Sequence, residues 1–261
     1  MKIATWNVNS VRKRTGNLVD WLQRAKPDVV VLQEIKAQEA QFPRFEVEAA
    51  GYKVEIVGQK GFNGVAMLSL HPVEITARSL PNPVAEEPAR YIEGRVATPK
   101  GPLTVGGLYL PNGNPIGTEK FAYKIAWMDR LTERAKQLLA REEMFVLGGD
   151  YNVCPTDMDV FSPAAFANDA LCQPQSRAAL RTLLNLGLTD AIRAFHADEV
   201  LYTFWDYQAG AWQKGNGLRI DHLLLSPQAT DRLAAVGIDK AERGRTEPSD
   251  HVPVWCELDL S

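Results

Sequence analysis

The chain has 261 residues, 45% of them hydrophobic, and a formal net charge of -3. That is long and apolar enough for one large core, and the lack of a global basic field argues against a protein that simply coats nucleic acid. Three cysteines without a C-x-x-C pair argue against a disulfide framework or a zinc knuckle.

No apolar run is long enough to span a bilayer, and no leader precedes the strand-like start at Met1. A cytoplasmic protein without membrane contact is expected. No Gly/Ser-rich or Pro-rich run divides the chain, so residues 1–261 read as one domain.

In chain order, apolar runs at 2–6, 29–33, 64–70, 103–109, 144–149, 220–225 and 254–258 predict buried strands. Apolar residues at helical spacing predict helices over 15–26, which stops before Pro27, and over 118–141 and 176–186. A βαβ start followed by hairpin-like strands predicts a layered α/β sandwich rather than a regular Rossmann alternation. Neither a G-x-G-x-x-G nor a Walker A loop is present.

Polar residues collect where these runs end. Asn7, Glu34, Tyr109, Asp150, Asn152, Asp221, Asp250 and His251 each terminate, start or closely follow an apolar run, the position where α/β proteins place their sites. Glu34 taken alone reads as an exposed loop acid. In Gly148-Gly149-Asp150-Tyr151-Asn152 the glycines permit close backbone approach, and Asp150 and Asn152 fall on one side of an extended chain. Asp221 enters a buried run and requires a partner, for which His251, Arg219 or a backbone donor would serve. The adjacent His222 points to the opposite face. Arg12 and Lys36 could form a local basic face beside these loops.

The ordered set Trp6-Asn7-Val8-Asn9, Leu32-Gln33-Glu34, Gly107-Leu108-Tyr109-Leu110-Pro111-Asn112, Gly148-Gly149-Asp150-Tyr151-Asn152, Leu218-Arg219-Ile220-Asp221 and Ser249-Asp250-His251 resembles the exonuclease III family of AP endonucleases over essentially the whole chain. The resemblance implies a four-layer α/β/β/α sandwich of two mixed β-sheets flanked by helices. It implies a Mg²⁺-dependent DNA repair nuclease, with Mn²⁺ as a substitute ion. Such an enzyme would cut 5′ to abasic sites and trim 3′ ends of double-stranded DNA as a monomer.

By matched residue, Asn7, Glu34, Asp150, Asn152, Asp250 and His251 would surround the metal, with Glu34 its main carboxylate. Asp150 would act on the attacking water with Asn152, while Tyr109 and an Asp221-held His251 would meet the phosphate. Asn112, Arg90 and Arg177 would hold the DNA backbone; Phe204, Trp205, Trp212 and Leu218 are candidates for a pocket wall or wedge, with Phe204 and Trp205 reading equally well as core aromatics. Asn9 stands where some members carry aspartate, which removes one carboxylate from the metal region. A regulator that binds nucleic acid with the same fold and no chemistry is the competing reading, and the complete catalytic set argues against it.

Overall fold

The computed structural model describes residues 1–261. In chain order its strands are β1 (Lys2–Asn7), β2 (Val29–Gln33), β3 (Lys53–Val57), β4 (Val65–Ser69), β5 (Val73–Ala77), β6 (Tyr91–Thr98), β7 (Gly101–Tyr109), β8 (Met144–Asp150), β9 (Thr189–Asp190), β10 (Asp221–Leu225), β11 (Leu233–Ile238) and β12 (Val254–Leu258). The principal helices are α1 (Thr15–Ala25), α2 (Arg44–Ala49), α3 (Glu119–Leu139) and α4 (Pro174–Leu184). No helix is long and apolar enough to cross a membrane.

The strands form two six-stranded sheets, ordered β11-β12-β1-β2-β4-β3 and β5-β6-β7-β8-β10-β9. Both are mixed: β1–β2 and β7–β8 run parallel and the other pairs antiparallel. Alternation along each strand divides the core. Ile3, Val29, Val31 and Met67 of one sheet pack with Val105, Val146 and Leu223 of the other. Ala4, Trp6, Val30 and Leu32 turn outward onto Leu18, Trp21 and Leu22 of α1. Phe145 and Leu147 turn outward onto Trp127, Leu131 and Leu138 of α3 and Leu180 and Leu183 of α4. The result is the four-layer sandwich. Its strands read as continuous apolar runs because both sheet faces are covered.

Glycine permits two close approaches. A Cβ on Gly107 would stand 2.7 Å from Val31 of the facing sheet, and one on Gly149 would overlap the Leu108 carbonyl oxygen. The second contact holds β8 against β7 one residue before Asp150. The sequence missed β3, β5, β6, β9 and β11. Strand β5 is alternately exposed, β6 carries Glu93 and Arg95, and β9 has only two residues.

Candidate active site

Strand register assembles the polar residues at one mouth of the sandwich. Asn7 pairs across from Gln33, one residue before Glu34. Tyr109 pairs with Asp150, and Asp150 with Asp221 on the other side. The segment before β12 carries Asp250 and His251, and His251 bridges to Phe204. Glu34 and Asn152 adopt left-handed backbone, with φ of 48° each. Both are non-glycine residues in a sparsely populated region, which persists only where surrounding structure enforces it.

Asn7 links the two acids: its Nδ2 donates to Glu34 Oε1 at 2.9 Å and to Asp150 Oδ2 at 3.0 Å. The backbone N–H of Asn152 donates to Asp150 Oδ1 at 2.9 Å, and its side-chain Nδ2 donates to the Leu110 carbonyl at 2.9 Å. Burial raises the Asp150 carboxyl to about 7, against the lowering effect of His251. Burial would also raise Glu34, but Lys36 at 2.9 Å and Asn7 hold its carboxyl below the ordinary value.

His251 places Nδ1 at 2.8 Å from Asp221 Oδ2 and Nε2 at 3.8 Å from Asp150 Oδ2. Thr203 Oγ1 donates to the same Asp221 oxygen at 2.6 Å. Burial alone would favour neutral imidazole, but Asp221 and Asp150 outweigh it and bring His251 up to about 10. These carboxylates favour the protonated ring, with Nδ1–H held by Asp221. His222 faces the other way, accepting from Arg219 at 3.0 Å through Nδ1 and donating from Nε2 to the Val153 carbonyl at 3.0 Å. Arg219 itself pairs with Asp159 and Asp190, not with Asp221.

Tyr109 lies under the Arg90 guanidinium, 4.6 Å from its ring centre. Burial, with Glu34 and Asp150 adding to it, pushes the phenol well above its ordinary value, so it remains a donor. Arg90 donates to the Tyr109 carbonyl at 3.1 Å and keeps a buried Nε without a partner. Asn112 is exposed and reaches Asn152 Oδ1 at 3.3 Å.

Ligand atoms of Glu34, Asp150 and His251 all lie within 4.8 Å of one another. Glu34 pairs with Lys36, and Asp150 and Asp221 flank the His251 ring, so carboxylates outnumber the cations in direct contact with them. Carboxylate oxygens with residual negative charge suit a hard divalent cation. Asp250 stands apart from this trio: its Oδ1 accepts from Asn9 at 3.0 Å, and Asn9 in turn accepts from Lys36 at 2.6 Å.

Burial corrects part of the expected DNA-contact set. Trp205 is 1% exposed and Leu218 3%, so neither is presented as a wall or wedge. Trp205 instead underlies the partly exposed Trp212, ring centres 5.0 Å apart, and Leu218 is backbone-paired with Val160 and Phe204. Arg177 is partly exposed, donating to the Cys154 carbonyl at 3.0 Å and pairing with the exposed Asp157 at 2.8 Å. Arg12 is exposed.

Two contributors escaped the sequence reading. Thr203 carries no motif signal. Lys124 does carry one: it interrupts the apolar stripe of α3 that continues through Met128, Leu131 and Ala135.

Comparison with known proteins accords with this geometry. A profile of the Endonuclease/Exonuclease/phosphatase family matches residues 4–251. Exodeoxyribonuclease III of Haemophilus influenzae is 31% identical over 266 residues, covering 99% of this chain and all of the relative. An AP endonuclease from Archaeoglobus fulgidus superposes with a TM-score of 0.94 at 35% identity, covering 100% of both chains. A 3′ phosphatase from Neisseria, solved bound to a product DNA hairpin, also superposes at 0.94, with 36% identity and 99% of each chain covered.

Fold and site together define a hydrolase of the exonuclease III and AP endonuclease type, a DNA repair nuclease. The chain belongs to the Endonuclease/Exonuclease/phosphatase family.

Proposed function

We propose that this chain hydrolyses phosphodiesters of duplex DNA on the 5′ side of abasic sites and removes nucleotides or blocking groups from 3′ ends. It does so as a monomer, with residues 1–261 acting as one catalytic domain. The observation that carries this reading is the convergence of Asp150, Glu34 and an Asp221-held His251 on one mouth, joined through Asn7.

A phosphodiester is already anionic and repels a nucleophile, so catalysis depends on offsetting charge in the pentacoordinate state. The His251 imidazolium and the Tyr109 phenol face the reacting phosphate as donors. Arg90, whose buried Nε has no protein partner, holds a phosphate oxygen beside them. Asp150, poised near neutrality, orients the attacking water and takes its proton. Asn152 aligns that water, its own backbone fixed by Asp150. Glu34 and Asp150 would hold Mg²⁺, or Mn²⁺ in its place, with Asn7 and Asp250 beside them. The ion would supply Lewis-acid stabilisation of the phosphate and leaving oxygen. Arg12, Lys36, Asn112 and Trp212 border the DNA path. An abasic nucleotide has no base to unstack, which lowers the cost of extruding it.

The test is a duplex carrying one internal tetrahydrofuran abasic analogue and one recessed 3′ end, incubated with Mg²⁺ or with chelator. Metal-dependent incision at the analogue and shortening from the 3′ end support the reading. Binding of lesion-free duplex equally well with no cutting of any substrate would favour a regulator instead.

A further inference from the structure

Lys124 is fully buried on α3, yet no carboxylate pairs with it. Its Nζ donates to three main-chain carbonyls: Asn152 at 2.5 Å, Asn112 at 3.0 Å and Ala170 at 3.4 Å. Asn112 lies in the connection from β7 to α3, and Asn152 and Ala170 lie at the two ends of the one connection from β8 to α4. The amides of Asn112 and Asn152 border the site and touch each other through Asn112 Nδ2 and Asn152 Oδ1. The passage for the lysine stem is narrow: a Cβ on Gly113 would meet Lys124 Cδ at 2.6 Å. Gly113 (φ 90°) and Asn152 (φ 48°) both lie in left-handed backbone beside the ammonium.

Burying a charge without an ionic partner is costly, and a methionine of similar length would fill the same channel without that cost. An ammonium supplies what methionine cannot, several donors radiating from one atom. The Asn112 and Asn152 carbonyls would otherwise need another partner, whereas the Ala170 carbonyl also accepts from Ser176 Oγ at 2.7 Å.

We propose that Lys124 is a positioning residue for the nuclease reaction. It ties the Asn112, Asn152 and Ala170 segments to one point, so that the two amides meet the water and the phosphate at fixed separation. It touches neither substrate nor metal and acts through Asn112 and Asn152. This inference rests on the proposed assignment of those amides to the reaction.

Lys124→Met tests it, with Leu138→Ala as control. Leu138 is buried at the far end of the same helix, so its truncation loosens α3 without reaching the loops. Single-turnover incision of the tetrahydrofuran duplex is measured well below both melting temperatures, alongside hydrogen–deuterium exchange. Lys124→Met is expected to lower the cleavage rate roughly 10- to 100-fold, with DNA affinity changed less than about 3-fold. Exchange should rise selectively at residues 110–114 and 150–154. Leu138→Ala should lower the melting temperature and leave the rate alone.

A wild-type rate in folded Lys124→Met, or an equal rate loss in both variants, would overturn the proposal. Exchange distinguishes this failure from failure of the functional reading. If the wild type itself cuts nothing, the functional reading falls and the positioning role with it. Selective exchange would then leave Lys124 only a structural clamp.

Discussion

His251 and Asp221 come from segments 30 residues apart and meet through a 2.8 Å contact between Nδ1 and Oδ2. Asp221 sits at the first position of β10, directly across from Asp150. One register therefore sets both the acid that holds the imidazole and the acid that the imidazole faces. Asp221→Asn should keep the fold and lower the cleavage rate by about two orders of magnitude, because the imidazolium loses its principal counter-charge. Rapid-quench cleavage of the abasic duplex, with circular dichroism as the folding control, measures this.

Glu34 and Asp250 should separate in their metal dependence. Glu34 lies with Asp150 and His251, whereas the Asp250 carboxylate is tied to Asn9. Glu34→Gln should raise the half-saturating Mg²⁺ concentration about 100-fold and Asp250→Asn about 10-fold or less. Metal titrations of the incision rate at fixed DNA concentration give both values.

Asp159 underpins the wall behind the site. It accepts from Arg219 at 2.6 Å and from Arg193 at 2.6 Å with no exposed side-chain surface. Burial opposes ionisation, but Arg219, Arg193 and Thr156 together outweigh it and hold the carboxyl at about 2 rather than 3.8. A depressed acid stabilises the fold above its unfolded value and loses that contribution as pH falls toward the folded one. The contribution is worth about 2 kcal/mol at neutral pH. Asp159→Asn should be less stable than wild type in urea at pH 7, and the gap should narrow between about pH 4 and pH 2.

The Glu93–Arg134 pair predicts a pure stability effect. Arg134 of α3 reaches Glu93 of β6 at 2.6 and 2.8 Å, and Thr76 and Tyr91 also donate to that buried carboxylate. Arg134→Met strands the charge and should cost about 3–5 kcal/mol in denaturant unfolding, with cleavage by the folded fraction unaltered.

The sequence disclosed the central strands and the residues at their ends because both follow one rule. Strands covered on both faces read as unbroken apolar runs, so a charge or amide at the end of a run stands out. That rule exposed Asn7 and Asp150 at the ends of runs and, by the same contrast, Asp221 near the start of one, whereas Glu34 alone read as a loop acid and gained its role only from the ordered set of motifs. The rule could not expose β5 or β6, whose polar residues are accommodated at an edge or by pairing, as with Glu93 and Arg134. Burial of aromatics was equally illegible: Trp205 and Trp212 share the same local composition, and only packing shows that one covers the other. Lys124 was visible as a break in an apolar stripe, but its three carbonyl partners arise from loops that sequence spacing does not bring together.

The account turns on Asp150 and His251 acting in one cleft on a DNA phosphate. The most direct measurement is single-turnover incision of the tetrahydrofuran duplex by wild type, Asp150→Asn and His251→Asn in saturating Mg²⁺, with duplex affinity measured in parallel. Both variants should bind within a few-fold of wild type and cleave at least about 100-fold more slowly. Cleavage by either variant at the wild-type rate would contradict the assignment.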